Sequence, residues 1–321
     1  MSVAGHNSIL KNTLSGIGLT ALISAVAISV PIIGFVCLLL LPQPIIFYRL
    51  KLGRRQGLMI IGAALLLIIL GTGGLFADAV FLMAMMGLGF CMGEFIEQGL
   101  PVEKTIAYAG GAVIIAGCSA LVIYANLRNI SISGFLSDYI AENLQMTIAL
   151  YKKTGMAEES VRALENSIEH IGNALFRILP SLTAAGLLLA GWLNLLAARL
   201  FLNRWQREFL DFRQLNLWQA PEALVWGVAA SIGMLLLPSN PIRAIGINAL
   251  VILVVIYFFQ GIAVLSHYFE TKRFPLPLRW IIYAFIVIQQ VLMLVVAAIG
   301  FFDVWANFRG LETSPPDQLD P

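Results

Sequence analysis

The chain has 321 residues, of which 59% are hydrophobic and only 12% charged, with a formal net charge of +2. Soluble domains carry roughly a quarter charged residues, so a soluble fold cannot hide this much apolar surface, whereas a polytopic helical membrane protein is built from it. The apolar runs are continuous and do not alternate, which excludes a β-barrel, and no basic run with interleaved aromatics points to a nucleic-acid partner.

The opening MSVAGHNSILKNTLSG carries one lysine and is followed by no A-x-A cleavage pattern, so it reads as an uncleaved signal-anchor. Residues Leu14–Tyr48 are apolar but interrupted by Pro31, Pro42 and Pro44. Either Leu14–Leu41 is one long, tilted, proline-kinked helix, or Leu14–Val30 and Ile32–Tyr48 are two short spans turning at Pro31; the single helix is the preferred reading. Ala21, Ala25 and Ser29 give this stretch a smooth face for close helix contact. Arg49, Lys51, Arg54 and Arg55 follow as the strongest cytoplasmic marker.

Gly57–Gly71 is the next span, and Thr72-Gly73-Gly74 turns it into Leu75–Gly93. There Gly89 and Gly93 form a G-x-x-x-G packing face, and Asp78 sits near the membrane edge. Glu94, Glu97, Glu103 and Lys104 around Pro101 read as a solvated acidic turn. Thr105–Ala125 spans again.

Gly134–Gly172 is the only long run in which charges are common, with three basic residues against six acidic. Its apolar residues recur at helical spacing: Leu136, Ile140, Leu144, Ile148 and Tyr151, then Val161, Leu164, Ile168, Ile171, Leu175 and Ile178. The pattern predicts a helical hairpin turning at Thr154-Gly155, whose second arm continues into the following span. Its acidic balance is unlike a basic helix clinging to anionic lipid, so the hairpin is expected to pack on the bundle and serve as a lid or docking arm for a membrane protein partner.

Asn173–Leu202, with Pro180 and Asn194 inside it, is followed by Arg199, Arg204, Arg207 and Arg213. Leu224–Leu237 is a short span entered through Trp218, Pro221 and Glu222; Pro238–Pro241 turns it into Ile242–Phe269. Lys272, Arg273 and Arg279 precede the last span, Leu278–Phe302. The expected fold is thus all-α: a polytopic transmembrane bundle of about eight spans, nine if 14–48 forms two, with an amphipathic helical hairpin at 134–172. Residues 1–310 read as one transmembrane domain and 311–321 as a disordered acidic tail. Alternating the spans places 12 of the 20 Lys and Arg residues on one side, favouring those loops as cytoplasmic in a bacterial inner membrane.

Searches for chemistry come back empty. No H-E-x-x-H, G-x-S-x-G or P-loop is present, and His6, His170 and His267 are scattered, so neither an enzyme nor a metal or cofactor is expected. Cys37, Cys91 and Cys118 lie inside apolar spans and read as small buried hydrophobes. Amides within spans (Asn194, Asn248, Gln260, Gln289, Gln290) are costly in lipid unless they face a neighbouring helix or a cavity. Glu222, one residue after Pro221 at a helix start, is favoured by unpaired N–H groups. With Trp226, Asn248 and Gln260 it forms a candidate polar cavity. At the end of the chain Asp303, Trp305, Asn307 and Arg309 form a closing motif, in which an Asp303–Arg309 pair would staple the last span to a neighbouring loop while Trp305 and Phe308 anchor the interface.

The segment Trp218-Gln219-Ala220-Pro221-Glu222 with Trp226, the later Gln260-Gly261-Ile262-Ala263-Val264, and the closing Gly300 to Arg309 together resemble the YybS-like bacterial membrane proteins, a family of unknown function. The resemblance covers nearly the whole chain and implies no activity. In membrane pattern the chain is also similar to the S components of energy-coupling-factor importers, helical proteins that capture a nutrient and dock on a partner subunit. Two functions follow as expectations: binding or moving a small solute, or a non-transporting scaffold for envelope or division machinery.

Overall fold

The computed structural model describes residues 3–72, 76–155, 157–202 and 216–310. The side chains of Asp78 and Arg199, the Gly73-Gly74 turn, Arg204, Arg207, Arg213 and the 311–321 tail lie outside the described residues. Every regular element among those described is helical apart from a short 3₁₀ turn at 216–217. The α-helices are α1 (Val3–Ser29), α2 (Pro31–Leu40), α3 (Pro42–Leu52), α4 (Arg54–Thr72), α5 (Phe76–Glu97), α6 (Val102–Arg128), α7 (Ile132–Lys153), α8 (Glu158–Leu202), α9 (Ala223–Leu236), α10 (Asn240–Thr271), α11 (Leu276–Ile288) and α12 (Gln290–Ala306).

Seven stretches among the described residues are long and apolar enough to cross a membrane, or eight if the bent pair α11–α12 counts as one crossing. This is the polytopic helical bundle expected from the composition. The chain divides into two compact units, Met1–Leu179 with Gly186–Leu210, and Pro180–Ala185 with Asp211–Pro321.

Three spans differ from the sequence reading. Leu14–Tyr48 belongs to two crossings, Ser8–Ser29 and Ile33–Leu52, instead of one kinked helix. Val30 is extended (φ −123°, ψ 107°) with Pro31 opening α2, because the proline ring clashes with a helical residue before it. In the second unit α9 has 14 residues, about 21 Å at 1.5 Å per residue, short of the roughly 30 Å hydrocarbon core. The last span is broken as well: α11 and α12 meet at 106° around an extended Gln289 (φ −99°, ψ 104°).

In the first unit α1 runs antiparallel to α2–α3. The Tyr48 hydroxyl donates to Ser15 Oγ at 3.1 Å and Lys51 Nζ to Asn12 Oδ1 at 2.8 Å, so the end of α3 lies beside the start of α1. Helix α5 runs parallel to α3 with α4 between them in sequence. A Cβ on Gly89 would lie 2.5 Å from the Pro42 carbonyl oxygen and one on Gly93 2.8 Å from Arg49 Cδ, so the G-x-x-x-G face is where α3 beds into α5.

The hairpin is formed by α7 and the start of α8. Ser131 Oγ accepts from Gly134 N–H at 3.1 Å and starts α7; Thr154 caps its end, and Gly155 takes φ +77°, a left-handed conformation with no Cβ penalty. Lys152 pairs with Glu165 at 2.7 Å, Leu144 touches Gly172, and Ile140 and Val161 are buried, so the two arms are antiparallel. Helix α8 then continues without a break to Leu202.

In the second unit α10 is packed by α9 and α12. Positions Gly261 and Gly300 bring α10 and α12 into backbone contact: a Cβ on Gly300 would strike the Tyr257 carbonyl and lie 2.6 Å from Gly261 N. The matching pairs run in opposite directions, so these helices are antiparallel. Beside the crossing, Ala220, Leu253 and Tyr257 form a core covered by Trp218, Leu224, Val228, Ile256, Phe301 and Val304.

Candidate functional site

In a membrane the informative side chains are the buried polar ones, since each must find a partner inside the protein. The second unit concentrates them where α12 ends. Asn307 adopts a left-handed conformation (φ 41°, ψ 53°) that turns the chain back at the end of α12. Phe308 N–H donates to Asp303 Oδ1 at 3.1 Å, and Arg309 swings under to meet Asp303 Oδ2 at 2.6 Å. Arg309 Nη1 also donates to the carbonyls of Asn216 (3.0 Å) and Trp218 (2.9 Å).

From α10, Gln260 Nε2 donates to Asp303 Oδ2 at 3.2 Å, and its Oε1 accepts from Ala220 N–H at 3.2 Å. One carboxylate thus ties together α10, the end of α12 and the 216–220 segment that leads into α9. The Asp303 and Arg309 side chains are 0% and 1% exposed, so this pair gains its full electrostatic strength only because each charge has further hydrogen bonds. Tyr257 Oη, Arg309 Nε and Asn216 Oδ1 are buried here without a hydrogen-bond partner among the described residues.

The structure joins two groups that the sequence reading kept apart and separates one that it grouped. Gln260 belongs with Asp303 and Arg309. Of the residues grouped with it as a polar cavity, Glu222 is exposed at the start of α9 and makes no cap hydrogen bond, and Trp226 is 78% exposed. Asn248 Oδ1 accepts from Ser181 N–H at 2.9 Å, and its Nδ2 donates to the Ala244 carbonyl at 2.8 Å. It holds the turn of α8 that follows Pro180, where the proline has removed a backbone donor. These hydrogen bonds do not draw the four residues into one surface. Trp305 packs edge-on against Phe301 at 5.0 Å and is otherwise exposed, as an interfacial anchor would be.

The first unit holds a second polar cluster that the sequence reading missed. Arg49, near the end of α3, is 1% exposed. Its Nη2 reaches Glu94 at 2.7 Å and Glu97 at 2.6 Å, both on α5, and its guanidinium lies 5.9 Å from the Phe90 ring centre. Arg54 flanks Glu94 at 3.8 Å. The acidic turn is therefore not simply solvated: its first two carboxylates hold a buried cation. The signal was present in Gly57 and Gly93, whose missing side chains leave room for the Arg49 stem.

Asn194 of α8 is, with Gln260, one of two fully buried amides among the described residues. Its Nδ2 donates to the carbonyls of Leu39 (2.6 Å) and Ala190 (2.7 Å), supplying a donor where the break between α2 and α3 interrupts the backbone ladder. Gln43, with its amide turned to satisfy both ends, donates to the Asn194 carbonyl at 2.8 Å and accepts from Ala198 N–H at 3.2 Å. Cys37 and Cys91 are partly buried, while Cys118 is exposed on the outer face of α6 instead of buried.

The arrangement matches known sequences along nearly its whole length. The family described as "Predicted membrane protein (DUF2232)" matches residues 18–304. The uncharacterized protein YybS of Bacillus subtilis (strain 168) is 23% identical over 298 residues, covering 91% of this chain and 94% of that one. No solved structure matches. With spans from both units inside the matched region, the chain belongs to the DUF2232 family of membrane proteins.

Proposed function

We propose that this multi-pass protein binds or moves a small solute, that its second unit carries this activity, and that it does so without enzymatic chemistry. The observation that supports the reading is the break at Gln289. Non-helical backbone within an apolar stretch is tolerated at membrane depth only where protein or a water-filled cavity covers it. Gln289 and Gln290 stand at the break with exposed side chains, and the same unit contains α9, too short to cross. Interrupted helices of this kind are how solute carriers place backbone groups inside a bilayer. The bacterial inner membrane, with the basic end of the first unit in the cytoplasm, is the matching location.

The test is solvent access at the break. With Cys37, Cys91 and Cys118 replaced by alanine, Gln289→Cys and Gln290→Cys are expected to react with a membrane-impermeant maleimide applied to cells or inverted vesicles. Val287→Cys, at an apolar position 67% exposed and expected to face lipid, is expected to stay unreacted. If Gln289→Cys and Gln290→Cys are as inert as Val287→Cys, no water reaches the break and the solute reading fails. A second reading, the non-transporting scaffold, draws support from the apolar residues that α7 leaves uncovered.

A further inference from the structure

Helix α7 has two apolar faces, and its own chain covers one. Ile140 and Leu144 face α8. On the flank beside them Leu136, Tyr139, Asn143, Met146 and Leu150 recur at alternating spacings of three and four, the a and d positions of a heptad. Tyr139, Met146 and Leu150 are 43%, 60% and 48% exposed, while Asn143 sits between them, also exposed. A single helical arm outside the bilayer gains nothing from such a row unless another helix covers it.

We propose that this row is a seam for a second copy of the same chain, pairing the two α7 helices in parallel as a short coiled coil. Three observations choose a second copy over other occupants. First, α8 continues the hairpin into its membrane segment without a break, so copies inserted the same way in one membrane present their arms in the same direction. Parallel pairing is then the arrangement the membrane imposes, and confinement to the bilayer removes much of the cost of orienting the partners.

Second, the seam carries one asparagine at an a position, the feature that fixes register in parallel two-stranded coils, where it meets its own copy. Third, the charges suit this pairing. The residues flanking the seam are Phe135, Glu142 and Ala149 on one side and Ile140 and Thr147 on the other, so Glu142 is the one charge among them; in parallel register it meets Thr147 of the other copy, whereas antiparallel pairing would bring the two Glu142 carboxylates together. Asp138 lies off the seam. The acidic balance of the arm, three basic residues against six acidic, also disfavours the surface of anionic lipid as the occupant.

The experiment places single cysteines in the full-length protein with Cys37, Cys91 and Cys118 replaced by alanine. On oxidation in native membranes, Asn143→Cys, Met146→Cys and Leu150→Cys are expected to form a disulfide species of twice the 35.0 kDa chain mass, with at least tenfold less from Gln145→Cys on the opposite face. Adding Tyr139→Lys and Met146→Lys to Leu150→Cys is expected to lower that dimer about tenfold while leaving the thermal unfolding midpoint of the monomer in dilute detergent unchanged, since both side chains are exposed in the single chain. Equal crosslinking from Gln145→Cys, no crosslinking from the seam, adducts only of other masses, or seam cysteines shielded from maleimide by lipid would each overturn the proposal. The outcome is independent of labelling at Gln289, on which the solute reading depends.

Discussion

Asp303 and Arg309 lie six residues apart yet meet only because Asn307 reverses the chain between them. Removing one partner leaves a buried charge unpaired, so Asp303→Asn or Arg309→Met is expected to destabilise the protein by about 3–5 kcal/mol. Asp303→Leu combined with Arg309→Met is expected to recover part of that loss, because neither charge then remains; thermal unfolding of the three variants in detergent checks the order. The pairing was legible in the sequence as a staple at the end of the last span, and the structure adds which loop it holds. Gln260 was legible as a costly amide and was grouped with Glu222, Trp226 and Asn248, not with Asp303, from which 43 residues separate it. The Arg49 cluster was hidden by the opposite error. An arginine beside other basic residues looks like a loop charge, and only the glycines facing it reveal the room prepared for its side chain.

At the scale of elements, helices whose ends are written in local chemistry were the readable ones. The hairpin turn at Thr154-Gly155 and the unbroken passage of its second arm into α8 follow from periodicity and one glycine. The break at Gln289 has no glycine or proline at it, so nothing local announces it. Glycines inside helices divide by what they face. Gly300→Ala would press a methyl group into the Tyr257 carbonyl, so α10 and α12 must separate; a loss of about 1–3 kcal/mol is expected from such overpacking. Gly117→Ala in α6, where a Cβ meets nothing within 4 Å, is expected to be neutral or to stabilise by up to about 1 kcal/mol through helix propensity. Comparing the two unfolding midpoints separates packing glycines from incidental ones.

For the first unit taken whole, antiparallel α1 and α3 put the start of the chain at the same end as the basic cluster, as the two-span reading of residues 14–48 requires. Alternation then puts the hairpin at the other end. In the cysteine-free background, Ser8→Cys and Arg55→Cys are expected to be shielded from an impermeant maleimide in intact cells and to react in inverted vesicles, while Lys153→Cys shows the reverse pattern. Ser8→Cys and Arg55→Cys reacting from opposite sides would contradict the packing of α1 on α3. The composition made the class of the molecule plain from the outset. Its division into two compact units was not legible, because the charged stretch at the boundary, with Arg204, Arg207 and Arg213, reads in sequence like any other loop between spans.

The Arg49 cluster bears on how the protein is made. Arg49 leaves the ribosome 45 residues before Glu94, so for an interval during synthesis α3 exists without the carboxylates that neutralise its buried cation. In that interval the guanidinium belongs at the aqueous edge, where it helps the basic turn to hold its side of the membrane. Only when α5 arrives can Arg49 be drawn inward against Gly93. The same side chain thus stands first among the charges of the turn and later as a rivet between helices, and α3 and α5 cannot close on each other until α5 has been made.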